Sequence, residues 1–424
     1  MKIYLDSVGC RLNQAEIEHY ARQFRAAGHE LAASAEEADL AVINTCAVTA
    51  AAVSDSRHKV RQVNRAGAAE IIVTGCWATL RPQEAARLPG VGKVIPNADK
   101  DRLAAEALDL PLESFDLEPI ERTPLPGARL RTRAFIKVQD GCNNRCTFCV
   151  TTLARGAGRS RSIREILADI QAAAEAKEIV LTGVHLGSWG HDLSPRLHLS
   201  HLVKAILEHT DTPRLRLSSL EPWDLDAEFF RLWENPRLCR HLHLPLQSGC
   251  AATLRRMARK TTPKSFAALV AAARQVMPDV AITTDIITGF PGESEGEFQE
   301  SLEFVRSMHF AGGHVFTYSP RPGTAAARMP DQIPFETRKE RTARMRHALA
   351  EAERVYRSGF IGAVLPVLWE SAARLGPNGW EMSGLTGNYL RVNAAAPLSL
   401  WNQITLVRLT GLAEQHLQGS ILSD

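Results

Sequence analysis

The sequence predicts an α/β protein in three parts: an open parallel-sheet domain, a partial (β/α)6 barrel and a small antiparallel β-barrel. Three observations carry this expectation. Short apolar strands alternate with helical stretches from the N-terminus onward, the pattern of a parallel sheet. Six further strand–helix units follow between residues 134 and 319, and the first runs straight into a group of cysteines. Beyond Gly362 the pattern shifts to short strands broken by glycine, proline and asparagine, as in small antiparallel barrels.

The chain has 424 residues, enough for two or three domains of roughly 100–200 residues each. Its 45% hydrophobic and 23% charged content is that of a globular protein. A formal net charge of +3 neither demands nor excludes nucleic acid. No apolar run reaches the roughly 18–20 residues that span a bilayer, so no membrane partner is expected. The opening MKIYLDS meets Asp6 at once, unlike a signal-peptide core, and a cytoplasmic location is expected. With eight cysteines in a long chain and no export signal, metal binding or catalysis is favoured over a disulfide framework.

The first part covers residues 1–110. KIYLDS (2–7) is a strand, followed by a helix over 12–27 that stops at Gly28. DLAVI (39–43), EIIVT (70–74) and KVI (93–95) are the next strands, each followed by helical sequence. Cys10, Cys46 and Cys76 follow the first, second and third strands. Loops at the carboxyl ends of parallel strands share one sheet edge, where ligands of open α/β folds bind. The three should therefore converge, although about thirty residues separate each from the next. Gly9 and Gly75 precede two of them and allow tight turns. The competing reading is three buried cysteines acting as small hydrophobes.

Residues 111–130 carry Pro111, Pro119, Pro124 and Pro126 and read as an extended linker. Arg129, Arg131 and Arg133 come next, as either a solvated charge run or a nucleic-acid contact.

The central part covers residues 131–358. AFIKVQ (134–139) leads into DGCNNRCTFC, which places Cys142, Cys146 and Cys149 on one short loop. Three thiolates this close can hold an iron–sulfur cluster that normally takes four, leaving one iron open to a small molecule. Zinc is the alternative for this spacing. SIRE (162–165) is a capping box opening a helix to about Lys177. Strands EIVLTG (178–183), RLRLSS (214–219), HLHLP (241–245), VAITTDIIT (280–288) and HVFTYS (314–319) complete the barrel. Its chemistry belongs at the C-terminal strand ends. Residues 336–357 form a long helix packed on the barrel.

The C-x3-C-x2-C loop, with Phe148 just before its last cysteine, resembles the radical S-adenosylmethionine (SAM) enzymes. That resemblance implies that the open iron binds SAM and that reductive cleavage of SAM yields a 5′-deoxyadenosyl radical. SVGCRLNQAE (7–16), NTCAVTAAAVSDSRHKVRQ (44–62) and TGCWA (74–78) resemble the N-terminal domain of the methylthiotransferases. VQDGCNNRCTFC (138–149), ARGAGRSRS (154–162), LRRMARKTTP (254–263) and GFPGE (289–293) are similar to their radical SAM barrel. GLTGNYLRV (384–392), within residues 359–424, is similar to the TRAM domain, a small RNA-binding barrel. NTCAVTAAAVSDSR looks closest to the threonylcarbamoyladenosine tRNA enzymes.

The resemblance implies two 4Fe-4S clusters. One on Cys142, Cys146 and Cys149 binds SAM; one on Cys10, Cys46 and Cys76 handles sulfur. One SAM would donate methyl and another would supply the radical. The product would carry methylthio at C2 of the modified adenosine beside the anticodon, so the tRNA anticodon stem-loop is the expected partner. An electron donor and a sulfur source are also required, and the sequence names neither. The same chemistry on isopentenyladenosine tRNA or a ribosomal protein is the near alternative. A non-catalytic iron–sulfur RNA-binding protein is the alternative of another class.

Phe148, Gly183, Glu221, Gln247 and Asp285 are candidate SAM contacts beside the loop or near strand ends. The family's usual Gly-Gly-Glu is here Thr182-Gly183-Val184, a departure from the pattern. His185 and His191 read as satisfied or exposed histidines, and Cys239 and Cys250 as packing. Arg155, Arg159, Arg161 and Arg164, with Arg255, Arg256, Arg259, Lys260 and Lys264, are candidate phosphate contacts. Residues 360–424 hold three basic and four acidic side chains, so shape, Trp380 or Tyr389 stacking, or simple structural support is expected to matter more there than charge.

Overall fold

The structure is a computed structural model, and it describes residues 1–111, 132–376 and 379–422. The proline-rich linker, with Arg129 and Arg131, lies outside the described residues.

The N-terminal sheet has five parallel strands, in the order Glu30–Leu31, Lys2–Ser7, Leu40–Thr45, Glu70–Gly75 and Val91–Ile95. Four were expected. The fifth, Glu30–Leu31, has only two residues and therefore no periodicity to read. Leu40–Thr45 is buried along its whole length, as a central strand covered on both faces must be. Its alternation divides the core. Ala41 and Ile43 pack with Val60 and Val63 of helix Ala50–Ala66, while Leu40 and Val42 face Ile17, Tyr20 and Phe24 of helix Arg11–Ala26. Helix Ala50–Ala66 starts on a Thr49 cap and ends at Gly67 in the left-handed region. Helix Arg11–Ala26 also meets the next part, where Ala15 packs with Phe135 and Val180.

The central barrel has six parallel strands in two ladders. Arg133–Lys137, Glu178–Thr182 and Arg214–Leu217 form one; His241–His243, Ala281–Thr288 and Gly312–Thr317 form the other. Isolated parallel bridges Leu215–Leu238 and Ser219–His243 join them. Among the described residues the first and last strands do not pair, so the barrel is open, as expected. The Ser162–Glu165 capping box is present, but its helix ends at Ala172 rather than near Lys177. The Lys177 amide already donates to Thr132 O, so the chain must leave the helix there to enter the next strand. Phe266, Phe298 and Phe310 fill the barrel's outer layer, each contributing about 1.5–3 kcal/mol by burial.

Helix Phe335–Ser358 packs Met345, Ala348 and Leu349 into the same core. A closed five-strand barrel follows, in the order Val364–Gly376, Gly379–Thr386, Arg391–Ala396, Leu417–Ile421 and Ile404–Leu412. It departs from the expected purely antiparallel form. Val392 and Asn393 pair in parallel with Leu417 and Gln418, because closure brings a fifth strand back beside the third. Trp369, Met382, Val407 and Leu409 fill its interior, and Trp380 packs against them. Two arginines dock this barrel. Arg214 donates to Leu385 O and Pro366 O, and Arg216 to Thr386 O and Gly387 O. Arg216 is held in turn by a bidentate pair with buried Glu178, at 2.6 and 3.0 Å. Arg133 pairs with Glu370 at 2.5 Å, which assigns it to docking rather than to RNA. Among the described residues no helix is long and apolar enough to cross a membrane.

Candidate active site

Cys10, Cys46 and Cys76 sit just beyond the carboxyl ends of three adjacent parallel strands. All three line one cavity of about 870 Å³. The backbone turns that bring them together need glycine. Gly9 has φ +113°, and a Cβ there would stand 2.6 Å from Cys46 Cβ. Gly75 has φ +94°, and its Cβ would stand 2.3 Å from Thr45 O. Burial pushes the Cys46 thiol up to about 11, so a bound cation must displace its proton. The opposite wall of the cavity comes from barrel strand ends, including Gly183, Ser218, His243 and Asp285.

The triad is wired to the loop of the second triad by a buried charge network. Arg155 donates from Nε to Cys76 Sγ at 3.3 Å, from Nη1 to Glu16 and Asp140, and from Nη2 to Asn13 Oδ1. Asn13 Oδ1 also accepts from Cys10 Sγ at 3.6 Å. Lys100 and Lys137 complete the network around Glu16 and Asp140. Burial would raise both carboxyls, but Arg155, Lys100 and Lys137 outweigh it and hold them well below the usual carboxylate range. Arg155 is therefore not a phosphate contact. It is buried, because three acceptors and a thiol surround it.

Asp140 leads directly into Gly141 and the second triad. An N–H is aimed at each sulfur of that triad: Asn144 N at Cys142 and Thr151 N at Cys149, both 3.4 Å, and Arg259 Nη1 at Cys146, 3.8 Å. Such donors suit thiolates rather than thiols, and the second triad, with Cys76 of the first, fits an anionic cluster on this ground. Among the described residues no three Cys, His, Asp or Glu side chains stand as a group that could hold a single metal ion.

The remaining sequence candidates divide. Phe148 joins an apolar group with Met257, Phe290 and Tyr318 and meets Phe290 edge-on at 6.5 Å. Gly183 faces Gln139, whose side chain would stand 3.0 Å from an added Cβ. Glu221 is taken by Arg259 at 2.6 Å. Gln247 adopts φ +72° and pairs its backbone with Asp285 and Ile287, leaving its buried Oε1 without a donor. Asp285 turns Oδ2 to His243 at 3.3 Å and leaves Oδ1 without a donor. Buried acceptors with no donor are uncommon and fit a polar ligand.

Among the basic candidates Arg259 is also internal, reaching Glu221 and Pro245 O. Arg161 is bound to Asp169 and Arg256 to Glu297. Arg159, Arg164, Arg255, Lys260 and Lys264 are exposed. Tyr389 does not stand on an outer RNA face; its ring stacks on His241 at 4.2 Å, inside the cavity. Cys239 and Cys250 are buried outside both triads, and His191 is exposed.

Sequence reasoning missed Gln139 and Arg11, and it read His185 as a satisfied or exposed histidine without placing it beside the cysteine loop. Gln139 clamps the cysteine loop to the next strand end, accepting from Val184 N and His185 N while donating to Asp140 O and Gly141 O. His185 sits between Asp224, at 2.5 Å, and Asn144. Burial alone would lower its imidazole, but Asp224 and Cys142 outweigh burial and push it up to about 9. Arg11 lines the cavity beside Cys10. Only the adjacency of Gln139 and Arg11 to cysteines could have signalled them.

The open parallel barrel with a three-cysteine loop on its first strand defines a radical SAM enzyme, and residues 136–305 match the family model described as Radical SAM superfamily. Residues 2–95 match the model described as Uncharacterized protein family UPF0004. The radical SAM methyltransferase TsrM from Kitasatospora setae has the same fold, with TM-score 0.59 and 14% identity, over 77% of this chain and 75% of that one. The threonylcarbamoyladenosine tRNA methylthiotransferase MtaB of Bacillus subtilis is 33% identical over 98% of this chain and 95% of its own. That of Thermotoga maritima is 37% identical over 87% and 86%. The tRNA-2-methylthio-N(6)-dimethylallyladenosine synthase of Erythrobacter litoralis is 34% identical over 89% of each. The chain belongs to the radical SAM methylthiotransferase family.

Proposed function

We propose that this enzyme adds a methylthio group to C2 of N6-threonylcarbamoyladenosine in the anticodon stem-loop of tRNA, in the cytoplasm. One observation carries the reading: Cys10, Cys46 and Cys76 converge on a cavity whose far wall is the barrel's strand ends. The two MtaB relatives, similar over most of both chains, support the choice of nucleoside. The dimethylallyladenosine relative keeps the same chemistry on that nucleoside as the second reading. The division into residues 1–110, 111–130, 131–358 and 359–424 belongs to this proposal.

In it, Cys142, Cys146 and Cys149 hold one 4Fe-4S cluster, and Cys10, Cys46 and Cys76 the other. When bound, the clusters and SAM supply the methyl group, the sulfur and the radical that activates the adenine C2–H bond. The chain's own part is binding and orientation. Amides of Asn144 and Thr151 and the guanidinium of Arg259 stabilise the charge of one triad. Arg155 does the same for Cys76. Gly183 lets backbone approach SAM, and Gln247 Oε1 and Asp285 Oδ1 offer it acceptors. Phe148 and Phe290 exclude water from the loop. Glu221 is held by Arg259 through Oε2 and presents its other oxygen as a further candidate acceptor.

Mass spectrometry of tRNA nucleosides from a deletion strain tests the reading. Loss of methylthio-threonylcarbamoyladenosine is expected, with its unmodified precursor accumulating. Loss of the dimethylallyl product instead would establish the second reading.

A further inference from the structure

Arg11 is the first residue of helix Arg11–Ala26 and lines the same cavity as the Cys10 triad. Its Nη2 donates to the Tyr389 hydroxyl at 2.6 Å. Its guanidinium also lies 5.9 Å from the centroid of the Phe135 ring, and among the described residues no carboxylate lies in ion-pair range. The other arginines of the cavity are already committed: Arg155 to Glu16 and Asp140, Arg357 to Glu353, and Arg391 to Glu370. Asp285, the cavity's remaining carboxylate, faces His243.

Tyr389 holds its hydroxyl in place by unusual means. Its backbone is in the left-handed region, φ +67°, a strained conformation for a non-glycine residue. The turn is pinned where Thr386 Oγ1 accepts from Leu390 N, and docked where Arg214 and Arg216 donate to Leu385, Thr386 and Gly387 carbonyls. The ring lies 7° from parallel with His241, and the Arg216 guanidinium sits 5.1 Å from its centroid. The N-terminal sheet thus presents the arginine, the C-terminal barrel the phenol and the central barrel the stacking partner. Burial alone would raise the phenol, but Arg11, Arg133 and Arg216 outweigh it and hold it below its ordinary value. The potential here is positive and suits an anion.

Of the two candidate nucleosides, the threonylcarbamoyl group carries a carboxylate and a hydroxyl, and the dimethylallyl group carries neither. A site built for the first disfavours the second, because the guanidinium would then keep only the Tyr389 hydroxyl and the Phe135 ring and would lack an anionic partner. We propose that Arg11, steadied by the Tyr389 hydroxyl, binds the carboxylate of the substrate's threonyl group and so selects carboxylate-bearing over apolar N6 substituents. The proposal rests on the methylthiotransfer reading of this cavity.

The test uses the reconstituted full-length enzyme and an anticodon stem-loop carrying threonylcarbamoyladenosine, either as the free acid or as its methyl ester. For the wild type, esterification should lower kcat/KM by roughly 10- to 100-fold, the value of a charge-assisted pair. In Arg11→Gln the acid should lose a similar factor, mainly through KM, and the ester should lose nothing further. Arg11→Lys should recover part of the loss. Tyr389→Phe, which keeps the stacked ring, should show a smaller loss of the same kind and covers the case in which Arg11→Gln fails to fold. Undiminished discrimination between acid and ester in Arg11→Gln, or none in the wild type, overturns the subsite alone. A wild type that modifies neither form overturns the substrate reading with it.

Discussion

Arg155 shows how much one side chain can join. It bonds a thiol of one triad, a carboxylate beside that triad and a carboxylate beside the loop of the other. Replacing it with lysine keeps a charge but loses the fork of donors. Arg155→Lys is expected to lower the reduction potential of the cluster proposed for Cys10, Cys46 and Cys76, because a hydrogen bond to a ligand sulfur favours the reduced, more negative state. The other cluster's potential should stay unchanged, and redox titration followed by electron paramagnetic resonance reads both. Glu16 gives a pH-dependent prediction. Its folded pKa is depressed, so its stabilisation is present above the unfolded value of about 4.3 and is lost as pH falls below it. Glu16→Gln should cost about 3–5 kcal/mol at about pH 7, since it breaks a buried pair. In urea unfolding the gap to wild type should narrow toward about pH 3; a constant gap would contradict the assignment.

At the scale of elements, the strand-end turns and the docking strand matter most. Gly75 approaches the Thr45 backbone too closely for any side chain, at a positive φ that disfavours one. Gly75→Ala should displace Cys76, so iron per chain should fall toward half while SAM cleavage persists. Iron analysis beside a 5′-deoxyadenosine assay checks this. Strand Arg214–Leu217 read as an ordinary barrel strand, yet it turns two arginines onto the C-terminal barrel. Arg216→Ala removes the close partner of buried Glu178 and leaves it only Arg214 at 4.0 Å, which should cost about 3–5 kcal/mol. Limited proteolysis should then release the barrel near helix Phe335–Ser358; equal resistance of wild type and variant would argue against this docking role.

For the whole molecule, the two triads should separate by function. Alanine at Cys142, Cys146 and Cys149 should abolish SAM cleavage, whereas alanine at Cys10, Cys46 and Cys76 should spare it and stop methylthio transfer. Chromatography of 5′-deoxyadenosine and nucleoside mass spectrometry read the two outcomes, and loss of cleavage in the second set would merge the roles. Much of this plan was legible in the sequence. Strand–helix alternation, glycines before cysteines and the C-x3-C-x2-C loop are local patterns, and local patterns determine strands, turns and which residues reach a sheet's carboxyl edge. The sequence by itself therefore determined the open barrel, both triads and their side of the fold. Only the tertiary structure decided which charges turn inward. Arg155 and Arg259 read as surface cations and Tyr389 as a surface aromatic, because burial depends on partners far along the chain. Arg11 and Tyr389 are 378 positions apart, and no spacing rule reaches that far. The cavity chemistry beyond the cysteines is set by three packed parts meeting at one place, which a linear pattern does not encode.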